Sequence, residues 1–159
     1  MQGLLRKNFH VNLTNNTITL GTTMTIFDIV GDFDLKIKLY SLDDAIIKIW
    51  KYKECICMVR KNKHLEVENC YVFHPRFTEH DFDGEEFPVL VFDCHGGITF
   101  YDMMVIGGNF DECFCVGFDY AHGNDYSRIS PFGHYTEIPD KMAECESLAQ
   151  QIIEYFENA

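Results

Sequence analysis

The sequence lacks any apolar run long enough to enter a membrane. Its most hydrophobic stretches, residues 87–92 among them, end within about six residues, whereas a spanning helix needs roughly 18. Proline is scarce at four residues, glycine is unexceptional at eleven, and no tract is compositionally biased. Collagenous, mucin-like and linker-rich architectures are therefore excluded. Positive charge is also short: 13 Lys and Arg stand against 25 Asp and Glu, a formal net charge of −12, so no direct nucleic-acid binding is expected. The start of the chain, Met1-Gln2-Gly3-Leu4-Leu5-Arg6-Lys7, lacks the apolar core and small-residue cleavage site of a secretory signal, and a cytoplasmic location is expected. Several catalytic signatures are missing too: Gly-x-Gly-x-x-Gly, the phosphate-loop lysine motif, the Gly-x-Ser-x-Gly elbow and His-Glu-x-x-His.

What remains is the composition of a compact domain: 159 residues, 47% hydrophobic and 14% aromatic. The acids are dispersed, apart from the cluster Asp81-Phe82-Asp83-Gly84-Glu85-Glu86, which reads as an exposed loop, and the excess charge reads mainly as a device for solubility. Seven cysteines without an export signal point to reduced thiols. Cys55-Ile56-Cys57 and Cys113-Phe114-Cys115 lie inside apolar runs, where residues two apart share one strand face. Zinc sites usually space cysteines by two to four residues at turns, so these pairs read as small core hydrophobes.

The pattern along the chain predicts a hairpin, with Val11 and Leu13 before Asn15-Asn16 and Ile18 and Leu20 after it. Strands are expected at 22–30 and 33–40, separated by Gly31-Asp32 as a turn. Ser41 with an acid three residues on, followed by Ala45, Ile46, Ile49 and Trp50, predicts a short middle helix. Further strands are expected at 54–60, 65–73, 89–94, 98–106 and 110–118, with a turn at Lys61-Asn62-Lys63. After Pro139-Asp140, the stripe Met142, Cys145, Leu148, Ile152 and Phe156 predicts an amphipathic helix, with Glu144, Gln151 and Glu154 facing away. The fold class is α+β: a mostly antiparallel β-sheet with a short middle helix and a C-terminal amphipathic helix packed on one face. Residues 1–159 read as one domain, β-rich over 1–87 and carrying the chemically notable residues over 88–159.

Two segments could carry chemistry. Asp93-Cys94-His95-Gly96-Gly97-Ile98-Thr99 sets a histidine against two glycines, whose backbone can turn sharply and offer N–H groups to a ligand. Gly117-Phe118-Asp119-Tyr120-Ala121-His122-Gly123-Asn124-Asp125 leaves a strand end with imidazole and carboxylates in one short loop. His95, His122, Asp119 and Asp125 form a candidate ligand set for a divalent metal, which would activate water. Without metal, a His-Asp pair among His95, His122 and Asp125 supplies a general base, with Thr99 bonding substrate and Gly96, Gly97, Asp119 and Asn124 binding ligand. The alternative is architectural: Asp119, Asn124 and Asp125 make turns and caps while the histidines satisfy loop backbone. His134-Tyr135-Thr136 matches half of a two-histidine phosphoesterase pattern, and no second His-x-Thr accompanies it.

Over roughly residues 88–157 the chain resembles a group of small, uncharacterised proteins encoded by bacteriophages and prophages. The resemblance rests on His95-Gly96-Gly97-Ile98-Thr99-Phe100, on Gly117-Phe118-Asp119-Tyr120-Ala121-His122 with Asp125, and on Glu144-Cys145-Glu146-Ser147-Leu148-Ala149. Many such sequences have cysteine where this chain has Tyr120, which argues against a required thiol there. The resemblance implies a phage or mobile-element accessory protein that binds and inhibits or sequesters a host component, an antiphage defence system being one class. The expected partner is accordingly a host protein or a small-molecule ligand. A hydrolase built on the two histidine loops is the alternative, and acidic mimicry of nucleic acid is the third reading.

Overall fold

The computed structural model describes residues 8–12, 17–21, 26–77, 91–106 and 110–158. A two-stranded antiparallel hairpin, β1 (Asn8–Asn12) and β2 (Thr17–Gly21), comes first, with Val11 opposite Ile18 as the alternation predicts. The expected Asn15-Asn16 turn, the Asp81–Glu86 loop and residues 89–90 lie outside the described residues.

Helices replace strands in the next segment. α1 (Ile26–Val30) and α2 (Phe33–Leu42) occupy the stretches expected to be extended. The reason is local: Asp32 is a helix cap rather than a hairpin corner, and its carboxylate accepts a hydrogen bond from Leu35 N at 3.1 Å. The residues expected to form the middle helix instead enter β3 (Ile46–Tyr52). There the register slips between Ile46 and Lys48, a bulge that brings Ile46 and Ile49 onto the buried side at a spacing of three and so imitates helical periodicity. The fold class holds, with its short helices one element earlier in the chain.

β4 (Cys55–Asn62), β5 (Val67–Phe73), β6 (Phe100–Ile106) and β7 (Phe110–Phe118) complete an antiparallel sheet in the order β3-β4-β5-β7-β6. The N-terminal and C-terminal parts of the chain thus share one sheet, joined where Tyr71 pairs with Gly117. β4 runs on through Asn62, into the expected turn, and Val91 to Cys94 do not form a strand.

Both faces of the sheet are covered, and β4 shows it directly. Cys55, Cys57 and Val59 face one core while Ile56 and Met58 face the other, all fully buried. One core lies under α3 (Ile138–Glu157), whose Cys145, Leu148, Ile152 and Phe156 are buried along the predicted stripe. The opposite core takes Ile29 of α1 and Leu39 of α2. Cys55, Cys57, Cys70, Cys115 and Cys145 are all buried as free thiols, and burial pushes the Cys55 thiol up to about 12. No helix among the described residues is long and apolar enough to cross a membrane.

Lys141 stands at the head of the α3 stripe, one turn before Cys145, and is completely buried. Its Nζ donates to Glu68 Oε1 at 2.9 Å and lies 4.4 Å from the Tyr135 ring centroid and 4.8 Å from that of Tyr120. The Tyr135 hydroxyl donates to the same Glu68 oxygen at 2.6 Å. Burial works to raise the Glu68 carboxyl, but the bonds from Tyr135 and Lys141 together outweigh it and hold the group below its ordinary value. Removing one member of such a pair strands the other, so Lys141→Ala is expected to cost about 3–5 kcal/mol in urea unfolding. Lys141→Met combined with Glu68→Gln should cost distinctly less; an equal loss would show that the lost ion pair itself, not the stranded carboxylate, sets the cost.

Candidate functional site

Two loops meet at the ends of β6 and β7. The first, residues 91–99, is latched to α3 by Gln151, which donates to Asp93 O at 2.8 Å and accepts from Asp93 N at 2.7 Å. It turns at Gly96 and Gly97, with φ of +70° and +82°, and Gly97 N donates to Cys94 O. Thr99 N then donates to Gly117 O and starts the strand pairing.

The second loop leaves β7 at Asp119. The Asp119 carboxylate accepts from Ala121 N at 3.0 Å, forming the turn that throws His122 back toward the first loop. Tyr120 N donates to Asn69 Oδ1 at 3.2 Å, so this loop is also tied to β5.

Asp125 joins the two loops. Both its oxygens lie against His95 Nε2, at 2.9 Å and 2.8 Å, and Oδ2 also accepts from His122 N at 3.0 Å. An acceptor on that side fixes His95 with its proton on Nε2. The His95 ring is stacked on Tyr120, with centroids 4.3 Å apart and planes 16° apart, and Tyr120 in turn covers the buried ammonium of Lys141. Asp125 is buried; burial works to raise its carboxyl, and the bonds from His95 and the His122 backbone hold it below its ordinary value.

His122 fills the remaining gap. Its ring lies 5.9 Å from that of His95 and against the backbone of Gly96, where an added Cβ would sit 2.0 Å from Nε2. Nε2 approaches Asp119 Oδ1 at 3.2 Å, near enough for an ion pair when the ring is protonated. The alignment gives no hydrogen bond, and Nε2 is left shielded from water without a partner.

His95, His122, Asp119, Asp125 and Gly96 thus stand in one cluster. Four of these, His95, His122, Asp119 and Asp125, are the candidate metal ligands. They divide into two His-Asp pairs, and among the described residues no three His, Cys, Asp or Glu side chains are placed to hold one ion. Gly97 supplies only the turn; Asn124 is exposed and contributes its carbonyl to His134 N. Thr99 stands apart from the imidazoles, on a recess that it shares with Asp119. His134 uses its backbone, accepting from Tyr126 N at 2.9 Å.

Chemically, the cluster offers one oriented imidazole at His95, whose side chain is one-third exposed. The thiol beside it, Cys94, is pushed up to about 12, chiefly by burial and then by Glu144 and Asp93, and stays protonated at neutral pH. Sequence reasoning missed Tyr120, Tyr135, Glu68 and Lys141 as supports of the cluster. The available signal was a lysine at a core position of the helical stripe, which demands a buried anion. Comparisons with protein-family models, curated proteins and solved structures found no match.

Gly96→Ala meets both a positive φ and the His122 ring, and is expected to destabilise the fold by about 1–3 kcal/mol in chemical denaturation. For Asp125, a carboxyl lowered on folding contributes stability that is full above its unfolded value near 3.8 and is lost as pH falls through the folded value. Asp125→Asn should therefore be less stable at neutral pH by about 2 kcal/mol. Its acid unfolding below about pH 4 should also be shallower than that of the wild type.

Proposed function

We propose that this protein is a binding module that captures a protein partner, with the histidine-aspartate cluster serving to shape the binding loop. Through the resemblance to phage-encoded accessory proteins, the partner belongs among host components, a component of an antiphage defence system being one class. The observation that carries this reading is the segment after Asp125. Ile129 is 70% exposed and Phe132 is fully exposed, yet the backbone on either side of them is hydrogen-bonded. Ser127 N donates to Ser130 O, Gly133 N to Ser130 O and His134 N to Asn124 O. Arg128 is bonded to the β4–β5 turn through its N to Leu65 O at 2.7 Å and its Nε to His64 O at 2.8 Å.

An aromatic side chain held out on a fixed backbone has little conformational entropy left to lose on binding, and buried aromatics of this kind dominate interface energies. The base of the loop is Asp125, bridged to His134 and gripped by His95. In this reading the cluster sets the angle at which Phe132 is presented.

A hydrolase remains the second reading, favoured by the double contact of Asp125 with His95, which orients an imidazole as a general base requires. The two readings diverge at His122. A structural role predicts that His122→Ala lowers the unfolding free energy by about 1–2 kcal/mol, and a catalytic role predicts lost turnover at unchanged stability. For binding, the partner recovered by affinity capture is purified and titrated calorimetrically against wild type and Phe132→Ala. At least tenfold weaker binding, about 1.4 kcal/mol, is expected with an unchanged melting temperature. Equal affinity would remove the loop from the interface.

A further inference from the structure

On the sheet face opposite α3, between the ends of β5, β6 and β7, lies a recess of about 170 Å³ lined by Asn69, Tyr71, Thr99, Phe100, Phe118 and Asp119. Strand register explains it. Gly117 pairs with both Tyr71 and Phe100, and, having no side chain, lets the Tyr71 ring lie across it: a Cβ there would stand 2.5 Å from Tyr71 Cδ1. Phe100 meets Tyr71 edge to face, with centroids 5.5 Å apart. The floor is therefore aromatic, and the open polar atoms are at the rim. Asp119 spends Oδ1 on Ala121 N and the approach to His122; its Oδ2 and the Thr99 hydroxyl make no hydrogen bond among the described residues.

We propose that this recess binds the cationic side chain of an arginine on the protein partner. A guanidinium laid on the aromatic floor gains cation-π attraction and can direct N–H donors to Asp119 Oδ2 and the Thr99 hydroxyl. An anion would face the Asp119 carboxylate inside a field already set by a net charge of −12, which also speeds the approach of a basic segment. The planar guanidinium suits a ring floor and a carboxylate edge better than the more strongly hydrated ammonium of lysine. The inference rests on the binding-module reading and names the chemistry its partner presents.

The test titrates the isotopically labelled full chain with N-acetyl-arginine amide, using N-acetyl-citrulline amide as the neutral isostere, and follows backbone amides by heteronuclear NMR at low salt. Saturable shifts at Thr99, Phe100 and residues 117–119 with arginine alone are expected, with a dissociation constant on the order of 1 mM. Asp119→Asn keeps the acceptor for Ala121 N while removing the charge, and should abolish the response. Thr99→Lys, which places a tethered ammonium in the recess, should do the same even if the first variant folds poorly. Equal shifts with citrulline, or none with arginine, would overturn the proposal. The Phe132 titration is independent: its failure with intact arginine binding would refute the loop interface alone, and the reverse result would refute the recess alone.

Discussion

The ammonium of Lys141 is the constraint around which the C-terminal half is organised. A charge held wholly out of water is tolerable only with a counter-charge and further polar or π contacts, and each contact comes from a different part of the chain. Glu68 brings β5, Tyr135 brings the segment entering α3, and Tyr120 brings the loop leaving β7. The helix is thereby fixed in register as well as orientation, since its stripe continues through Cys145, packed against β5 with its Sγ donating to Tyr71 O at 3.3 Å. An apolar residue at position 141 could fill the same volume and would leave the tyrosines without a common point to gather around.

From Tyr120 the order passes on by stacking. One face of its ring is given to His95, and His95 holds the carboxylate of Asp125. Asp125 accepts the His122 N–H, and His122 occupies the space that a side chain at position 96 would need. The chain of contacts thus runs from a buried ion pair to the base of an exposed loop without passing through a mobile side chain. The Asp125 carboxylate closes the loop because it lies against His95 and accepts from the His122 backbone at once.

Much of this was legible in the sequence where one signal had one meaning. The α3 stripe, the first hairpin and the apolar runs of β4, β5 and β7 each gave the right element, and in α3 the period coincides with burial. The meeting of the two histidine loops was not legible, because it depends on β6 pairing with β7, and strand neighbours are set by the sheet rather than by local pattern. The errors between 26 and 50 have a common cause. Alternating Leu35, Ile37 and Leu39 suits a strand, but Asp32 caps the first turn and Ile37 is left half exposed on a helix; conversely, the bulge at Ile46 gives a strand the spacing of a helix. Caps and bulges are decided by one hydrogen bond each, and hydrophobic pattern does not register them. Lys141 was passed over because it was weighed as a charge rather than by its place on the stripe.

The division of labour between the two sheet faces follows from the same geometry. Toward α3, the ends of β5 and β7 are packed by Phe118 and Tyr120 over the buried lysine, so that side can transmit position. On the other face Gly117 removes one side chain from the pairing with Tyr71 and Phe100, and the sheet end stays open beside Asp119. Asp119 belongs to both: its Oδ1 holds the turn that places His122, and the residue also lines the recess. A ligand drawn to Asp119 would therefore act on the carboxylate that positions His122, and through Asp125 on the loop that carries Phe132. Recess and loop are two ends of one hydrogen-bonded structure.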